Sequence, residues 1–311
     1  MNSLSTQPSV SPRRKRRSKG IRRSWPEKLF DVCNYALFAL IGLSTLLPFV
    51  NLLAKSLSSE EAVFAGRVGL LPIDLQFGTY RYVLEDEAFM GALRVSVLLT
   101  VVGTVCSLLV TTLTAYPLSK PRLVGRKWLL LLFIFTMLFG GGLIPTYLLM
   151  HNLHLVNTLS VLFLPSMVNV FNMLVIKNYF EGLPDSLEES AKLDGAGHIR
   201  ILLFIFLPLS LPVLATIALF FAVAFWNDYF NAMIYISNPS LKPLQLFLKE
   251  LLVSSSDFLR NATMNPDQAL NTAPQSIQAA SIILATVPIL VVYPFLQKYF
   301  VKGVLVGSVK E

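Results

Sequence analysis

One polar segment of the chain, residues 181–212, carries the most regular spacing of functional residue types. It reads EGLPDSLEESAKLDGAGHIRILLFIFLPLSLP, in which Glu-Ser-Ala is followed after three residues by glycine and after nine more by Ile-x-Leu-Pro. Asp185 can cap a helix, with Glu188 three residues later. Gly195 and Gly197 can take the positive φ that ends a helix. These residue types supply caps and turns rather than a nucleophile or a base, and they predict a helix-turn-helix projection on a membrane surface.

Patterns typical of enzymes and of ATP-binding proteins are missing from the sequence. No G-x4-G-K-[ST] loop occurs, which is the usual means of holding ATP phosphates, and neither H-E-x-x-H nor G-x-S-x-G is present. The predicted membrane spans hold almost no ionisable residues in mid-bilayer, where ion-coupled transporters and intramembrane enzymes need them. We therefore expect no catalytic residue and no cofactor, and we expect the energy for any transport to come from a partner.

The cysteines and histidines do not form a predicted metal site. Cys33 and Cys106 both lie within apolar runs, where a lone cysteine behaves as a small hydrophobic residue. His151 and His154 are spaced as half of a metal site, but no further histidine, cysteine or carboxylate lies nearby in the sequence. We expect loop polarity here and no bound metal.

The composition is that of a membrane protein. Hydrophobic residues make up 54% of the chain, charged residues only 14%, and the mean hydropathy is +0.62, whereas soluble domains have about 25% charged residues. We predict an all-α polytopic membrane protein with six transmembrane helices. The predicted spans are residues 29–53, 93–118, 128–150, 159–176, 201–226 and 277–296. Three glycines and a proline in the third predict a broken or closely packed helix there.

The distribution of charge predicts the orientation of these spans. Eight cations and no anion lie between Arg13 and Arg23, so residues 1–24 are expected to be a disordered cytoplasmic tail. This tail has the charge to bind nucleic acid, but it lacks interleaved aromatic residues and directly precedes a span. An anchor against anionic lipid is therefore favoured. The cationic loop 120–127 is predicted to be cytoplasmic, as are both termini.

The segment at 181–212 resembles the EAA loop of ABC importer permeases, E-A-A-x3-G-x9-I-x-L-P, with Ser190 in place of the first alanine. An ordinary interfacial helix would share some of these residues, but six positions match over twenty residues. From about Tyr80 onward the chain is also similar to maltose-type carbohydrate permeases, particularly the smaller permease subunit. This similarity is carried by AYPLSK, GGGLIPTYLL, FWNDYFNA and the closing YFVKGVLVGSVKE.

The resemblance implies a type I ABC importer permease fold. Residues 25–311 would form the transmembrane permease domain, with a coupling helix region at 182–200 and a cytoplasmic C-terminal tail at 298–311. In this family the coupling helix docks in a groove of the ATPase subunit. The implied docking residues are Glu189, Ser190, Ala191, Asp194, Gly195, Ile205, Leu207 and Pro208.

The partners and the mechanism are also implied by the resemblance. The chain would pair with a second, different permease subunit, with two subunits that bind the ATP, and with an extracellular solute-binding protein. The complex would lie in the plasma membrane of a prokaryote and work by alternating access. No nucleic acid is expected as a partner.

The substrate path is predicted from side chains that suit a polyhydroxylated ligand, namely amides and aromatic rings. The candidates are Asn169, Asn172, Trp226, Asn227, Tyr229 and Asn231. The same side chains also serve as bridges between helices or as an interfacial aromatic belt. GGGLIPTYLL and LKPLQLFLKELL look most like a branch for complex or plant-derived oligosaccharides. We therefore expect an oligosaccharide, with a non-sugar solute or half of a secondary transporter as alternatives.

Overall fold

The computed structural model describes residues 25–262 and 275–308. The predicted basic tail, residues 1–24, lies outside the described residues, and so does the end of the predicted C-terminal tail, residues 309–311. Within the described ranges every regular element is a helix and there is no strand. The prediction of an all-α fold is therefore confirmed.

The α-helices follow one another in a single series. In chain order they are α1 Trp25–Ser56, α2 Glu60–Phe64, α3 Gly78–Glu85, α4 Glu87–Ser119, α5 Arg126–Leu138, α6 Leu143–Asn152, α7 Ser160–Phe163, α8 Val170–Glu181, α9 Asp185–Leu193, α10 His198–Ile201, α11 Leu207–Leu209, α12 Leu211–Trp226, α13 Phe230–Tyr235, α14 Leu244–Ala262 and α15 Gln275–Ser308. The described residues up to Phe49 form one compact unit and those from Val50 form a second. The candidate site lies wholly within the second unit.

Several of these helices are long and apolar enough to cross a bilayer. Three are long and apolar enough as single helices, namely α1, α4 and the Gln275–Pro294 part of α15. Three further spans are possible as bent pairs of helices. These pairs are Arg126–Leu138 with Leu143–Asn152 at 111°, Ser160–Ser166 with Val170–Glu181 at 50°, and His198–Leu209 with Leu211–Trp226 at 84°. The described chain thus has up to six spans, and each coincides with one of the six predicted stretches.

The breaks have local causes. The third span bends where Gly142 takes a φ of +84°, as the glycine-rich sequence predicted. The fifth span, predicted over residues 201–226, is present as a pair of helices that meet in a bend at Ser210, and this bend was not predicted. Pro212 lies two residues after Ser210. It has no backbone N–H, and its ring is incompatible with an unbroken helical turn before it. Before the bend, a π-helical turn at Leu202–Phe206 widens the helix.

The core of the second unit forms where α4 packs against α12 and α8. Gly103 of α4 allows close approach, since a Cβ atom there would lie 2.9 Å from the Phe225 ring. Two buried hydroxyls on α4 form hydrogen bonds with backbone groups of other elements. Thr111 donates to the Met167 carbonyl at 3.1 Å, and the Ser96 hydroxyl accepts from the Leu244 N–H at 2.7 Å. α4 is therefore the central support for the residues that follow.

Candidate functional site

The predicted projection is present and is formed by α9, a tight turn and α10. α9 ends at a Schellman motif, in which the N–H of Gly195 donates to the Lys192 carbonyl at 3.0 Å and the N–H of Ala196 donates to the Ala191 carbonyl at 2.9 Å. Gly195 has a φ of +80°, which glycine adopts without steric cost. The helix and the turn were both predictable from local sequence.

Two local details of that prediction are wrong. Asp185 is the first residue of α9 rather than its cap, because Pro184 occupies the capping position and no side chain caps the helix. Gly197 has a φ of −73°, so Gly195 alone takes the positive φ in this turn. One left-handed residue is enough to reverse the chain, since the Schellman motif already satisfies the last carbonyls of α9.

The outer face of the projection carries most of the residues implied for docking. Glu189, Ser190, Asp194 and Gly195 are exposed, whereas Ala191 is buried on the inner face. A Cβ atom built at Gly195 would meet no atom of the described residues within 4 Å, so they leave the space outside the turn open. This surface is free to receive another protein.

Two large apolar side chains on the same outer face were missed by the sequence reasoning. Leu193 is 90% exposed and Ile199 is 75% exposed, on either side of the Gly195 turn. Exposed apolar groups on a polar projection are typical of a surface that contacts another protein. Their position directly beside the matched motif residues was the sequence signal that could have identified them.

The remaining motif residues lie below the projection rather than on its surface. Ile205 and Leu207 are half-buried and pack against the main hydrophobic core, and Pro208 is exposed. Ile205 belongs to the π-helical turn, and Leu207 and Pro208 begin the short α11 that follows it. These residues attach the projection to the bent fifth span.

The inner face of α9 is held by an ion pair that the sequence reasoning did not identify. The Glu188 carboxylate is only 12% exposed, and it accepts hydrogen bonds from the ammonium of Lys120 and, at 2.6 Å, pairs with that of Lys192. Burial alone raises the pKa of this carboxyl, but the hydrogen bonds and charges of the two lysines outweigh it and lower the pKa below its ordinary value. Glu188 is therefore an anion that fixes α9 to the end of α4.

The Lys120 ammonium also contacts two aromatic rings. It lies 3.9 Å from the centre of the Phe206 ring and 4.8 Å from that of Tyr116. Tyr116, Phe180 and Phe206 meet edge to face, with ring centres 5.2 to 6.2 Å apart. Because these rings belong to α4, α8 and the π-helical turn, the projection rests on three membrane-spanning elements at once.

A second ion pair holds the chain just before α9. Arg126, at the start of α5, pairs with Glu181 at the end of α8, and its Nε donates to the Leu118 carbonyl at 2.8 Å. Lys177 also pairs with Glu181, at 2.9 Å. The loop between α4 and α5 is therefore attached to α9 through Lys120 and to the end of α8 through Arg126.

The predicted substrate-path residues fall into two separate groups. Asn169 caps α8 and accepts from the N–H of Asn172, which is buried. The second group lies at the end of α12 and the start of α13. It consists of Trp226, Asn227, Tyr229 and Asn231. Among the hydrogen bonds of the described residues, none joins one group to the other.

The second group makes local contacts of its own. Asn227 donates to the Val223 carbonyl at 2.8 Å, and Asn231 donates to the Asp228 carboxylate at 3.0 Å. Burial raises the pKa of Asp228, and the hydrogen bonds from Asn231 offset only part of this rise. The Lys249 ammonium lies 4.3 Å from the centre of the Tyr229 ring. The connection between α12 and α13 thus combines amides, an aromatic ring and a nearby cation.

Comparison with known proteins gives a consistent result. Residues 88–306 match the family model described as "Binding-protein-dependent transport system inner membrane component". The chain is 45% identical over 285 residues to Protein LplC of Bacillus subtilis (strain 168), covering 91% of this chain and 95% of that protein. It is 41% identical over 284 residues to the polygalacturonan/rhamnogalacturonan transport system permease protein YtcP of the same organism, covering 91% and 99%.

A solved structure has the same fold. It is one chain of a bacterial ABC transporter involved in the import of the acidic polysaccharide alginate. The TM-score is 0.81 and the sequence identity is 36%, and the match covers 89% of this chain and 99% of that one. The likeness thus extends over most of this chain and almost the whole of the other.

Proposed function

The chain belongs to the family of binding-protein-dependent transport system inner membrane components, and from this we propose that it is the permease subunit of an ATP-driven importer for an oligosaccharide. Members of this family are transport permeases and not enzymes. The observation that carries the proposal is the projection formed by α9 and α10, because its sequence spacing, exposed outer face and anchored inner face suit the transfer of movement from an ATPase.

Docking of an ATPase would use the outer face of this projection. Glu189, Ser190 and Asp194 offer polar contacts there, and Leu193 and Ile199 offer apolar ones. Gly195 would keep the turn low enough to enter a groove. Ile205, Leu207 and Pro208 would hold the projection on the fifth span, and Ala191 would pack its inner side.

The orientation follows from the placement of charge. We place α9, both chain termini and the cationic segment of residues 120–127 in the cytoplasm, because cations are retained on that side of a plasma membrane. Residues 1–24 would form a basic cytoplasmic tail and residues 25–311 the permease domain, with the coupling helix region at 182–200. The end of the chain, residues 298–311, would offer a second cytoplasmic contact. The membrane would be that of a prokaryote.

The carbohydrate substrate is supported by the relatives. One is named as a permease for polygalacturonan and rhamnogalacturonan, and a structure of similar fold is titled as an alginate importer. Both names describe acidic polysaccharides or their pieces. Asn169, Asn172, Trp226, Asn227, Tyr229 and Asn231 are the side chains that would line the path, since sugars bind to amides and stack on aromatic rings.

The complete importer would contain further subunits. Two ATP-binding subunits would supply the energy, a second, different permease would complete the pore, and an extracellular solute-binding protein would deliver the sugar. Closure of the ATPases would pull on the docked projections and reopen the cavity toward the outside.

A substitution at Gly195 tests this function. Gly195→Trp places a large ring on the open side of the turn, so we expect normal membrane insertion but loss of ATP-dependent sugar uptake and of stimulated ATPase activity. Gly66→Trp is a matched control, because Gly66 also has a positive φ, +67°, with nothing within 4 Å of an added Cβ. Normal uptake by Gly195→Trp would contradict the proposed function.

A further inference from the structure

We propose that Lys120, Tyr116, Phe206, Glu188 and Lys192, here called the Lys120 cluster, make α9 and the end of α4 move as one rigid body. The inference rests on the proposed function, since it says how movement of the docked projection reaches the membrane spans. These residues are positioning residues, and none is placed in contact with ATP or substrate.

The end of α4 is built to present Lys120 to the projection. The helix ends at Ser119, and Lys120 turns the chain into an extended conformation, with its N–H donating to the Pro117 carbonyl at 3.1 Å. Its side chain is only 21% exposed, which is unusual for a lysine in a loop. The side chain is therefore largely shielded from water, and its ammonium has its partners within the protein.

Those partners come from three different elements. Glu188 belongs to α9, Phe206 belongs to the π-helical turn of the fifth span, and Tyr116 belongs to α4 itself. A buried charge pair is a weak source of stability, but it fixes one geometry, because moving either charge leaves the other unpaired. The cluster thus resists separation of α9 from α4 more than it stabilises the fold.

On the exposed side of α9, the described residues make no comparable attachment. Glu189, the glutamate that matches the family motif, is exposed, whereas its neighbour Glu188 points to the lysines. One face of the helix is thereby left for a partner while the other is joined to α4. A helix with one exposed face and one face joined to α4 is suited to transmitting a force from a bound partner to α4.

The Arg126–Glu181 pair extends the attachment from α9 to the end of α8. Together, Lys120 and Arg126 connect the α4–α5 loop to α9 and to the end of α8. A displacement of α9 would therefore be shared by α4 and α8, which pack against each other in the core. Both are spans whose movement would alter a central path.

The test uses the complete importer, with both permeases, both ATPases and the binding protein, reconstituted in proteoliposomes. The variants are Lys120→Met and Glu188→Gln, and the control is Arg122→Met, which removes a cation from an exposed position in the same loop. We expect both variants to retain the ATPase subunits, while the number of sugar molecules imported per ATP hydrolysed falls severalfold. The double variant should lose no more than either single one, because the two residues act through one contact.

Wild-type import per ATP in both variants, or an equal loss in Arg122→Met, would overturn the inference. A wild-type chain that recruits no ATPase would instead overturn the proposed function, so the two failures can be distinguished.

If the charge variants fail to assemble with the other subunits, a crosslinking experiment tests whether α9 and the end of α4 move together. In a chain with Cys33 and Cys106 replaced by serine, Lys120→Cys with Glu188→Cys can be joined by a cleavable methanethiosulfonate crosslinker. We expect crosslinking to restore import per ATP and reduction to abolish it again. Import that is blocked by the crosslink and released by reduction would show that the two residues must separate, and would overturn the inference.

Discussion

The ammonium of Lys120 lies 3.9 Å from the centre of the Phe206 ring, so that a residue at the end of α4 is joined to the π-helical turn of the fifth span. The two residues are far apart in sequence. Lys120 ends the AYPLSK segment and Phe206 lies between Ile205 and Leu207, but neither is among the residues implied for docking. Their contact places a cation beneath the candidate docking helix, where it also meets Glu188.

The strength of this contact can be measured by a double-mutant cycle. Phe206→Leu should destabilise the purified transporter subunit less when Lys120 is already methionine, by about 1 kcal/mol in the free energy of unfolding, because the cation–π interaction is then absent. Phe221→Leu is the matched control, since Phe221 is also a buried aromatic residue but contacts Phe225 rather than a cation. The measurement is denaturant unfolding in mixed micelles. Equal costs of Phe206→Leu in both backgrounds would show that the cation contributes nothing.

Stability should depend on pH through Glu188. Its pKa lies below the ordinary value of 4.5, so its charged form stabilises the fold above that pH and the benefit is lost as the pH falls through the lowered value. We expect wild type to be more stable than Glu188→Gln at neutral pH, and the difference to shrink as the pH falls below 4.5.

Thermal unfolding of both proteins across this pH range provides the measurement. Glu189→Gln serves as the control, because it removes a carboxylate from the exposed face of the same helix and should leave stability close to wild type throughout. A difference between wild type and Glu188→Gln that grows on acidification would be inconsistent with the ion pair.

Close packing of α4 against α12 gives a further test. A Cβ atom at Gly103 would lie 2.9 Å from the Phe225 ring, so Gly103→Ala should reduce the free energy of unfolding by about 1–3 kcal/mol through overpacking. Phe225→Leu should restore part of the loss by making room. Gly91→Ala, on the same helix with nothing within 4 Å, should have no such cost. An equal gain in the free energy of unfolding at both glycines would show that the helix propensity of alanine, and not packing against Phe225, decides the outcome.

Much of the fold followed from the sequence because its signals are local. Apolar runs located the six spans, and the glycine after α9 located the turn, since only the residues within a few positions decide each feature. The bend at Ser210 was missed because prolines such as Pro208 and Pro212 are compatible with the first turn of a helix as well as with a break.

The candidate site was only partly predictable. The motif identified the outer face of α9 by spacing alone, but Lys120 and Glu188 are separated by 68 positions and meet only through the packing of α4, α8 and the fifth span. Glu188 stands next to Glu189, and although the motif assigns Glu189 to docking, it predicts no partner for Glu188. The partner of Glu188 depends on which part of the core packs against that face of α9. The residues of the substrate path remain predictions for the same reason.

The most direct test of the central claim, that α9 and its turn bind an ATPase subunit, is co-purification of that subunit with Leu193→Asp. Leu193 is 90% exposed, so an aspartate there leaves the fold intact while placing a charge in the docking surface. Val124→Asp is the control, because Val124 is 94% exposed in the α4–α5 loop. We expect the ATPase to be lost from Leu193→Asp and retained by Val124→Asp at equal membrane levels. Full retention of the ATPase by Leu193→Asp would contradict the claim.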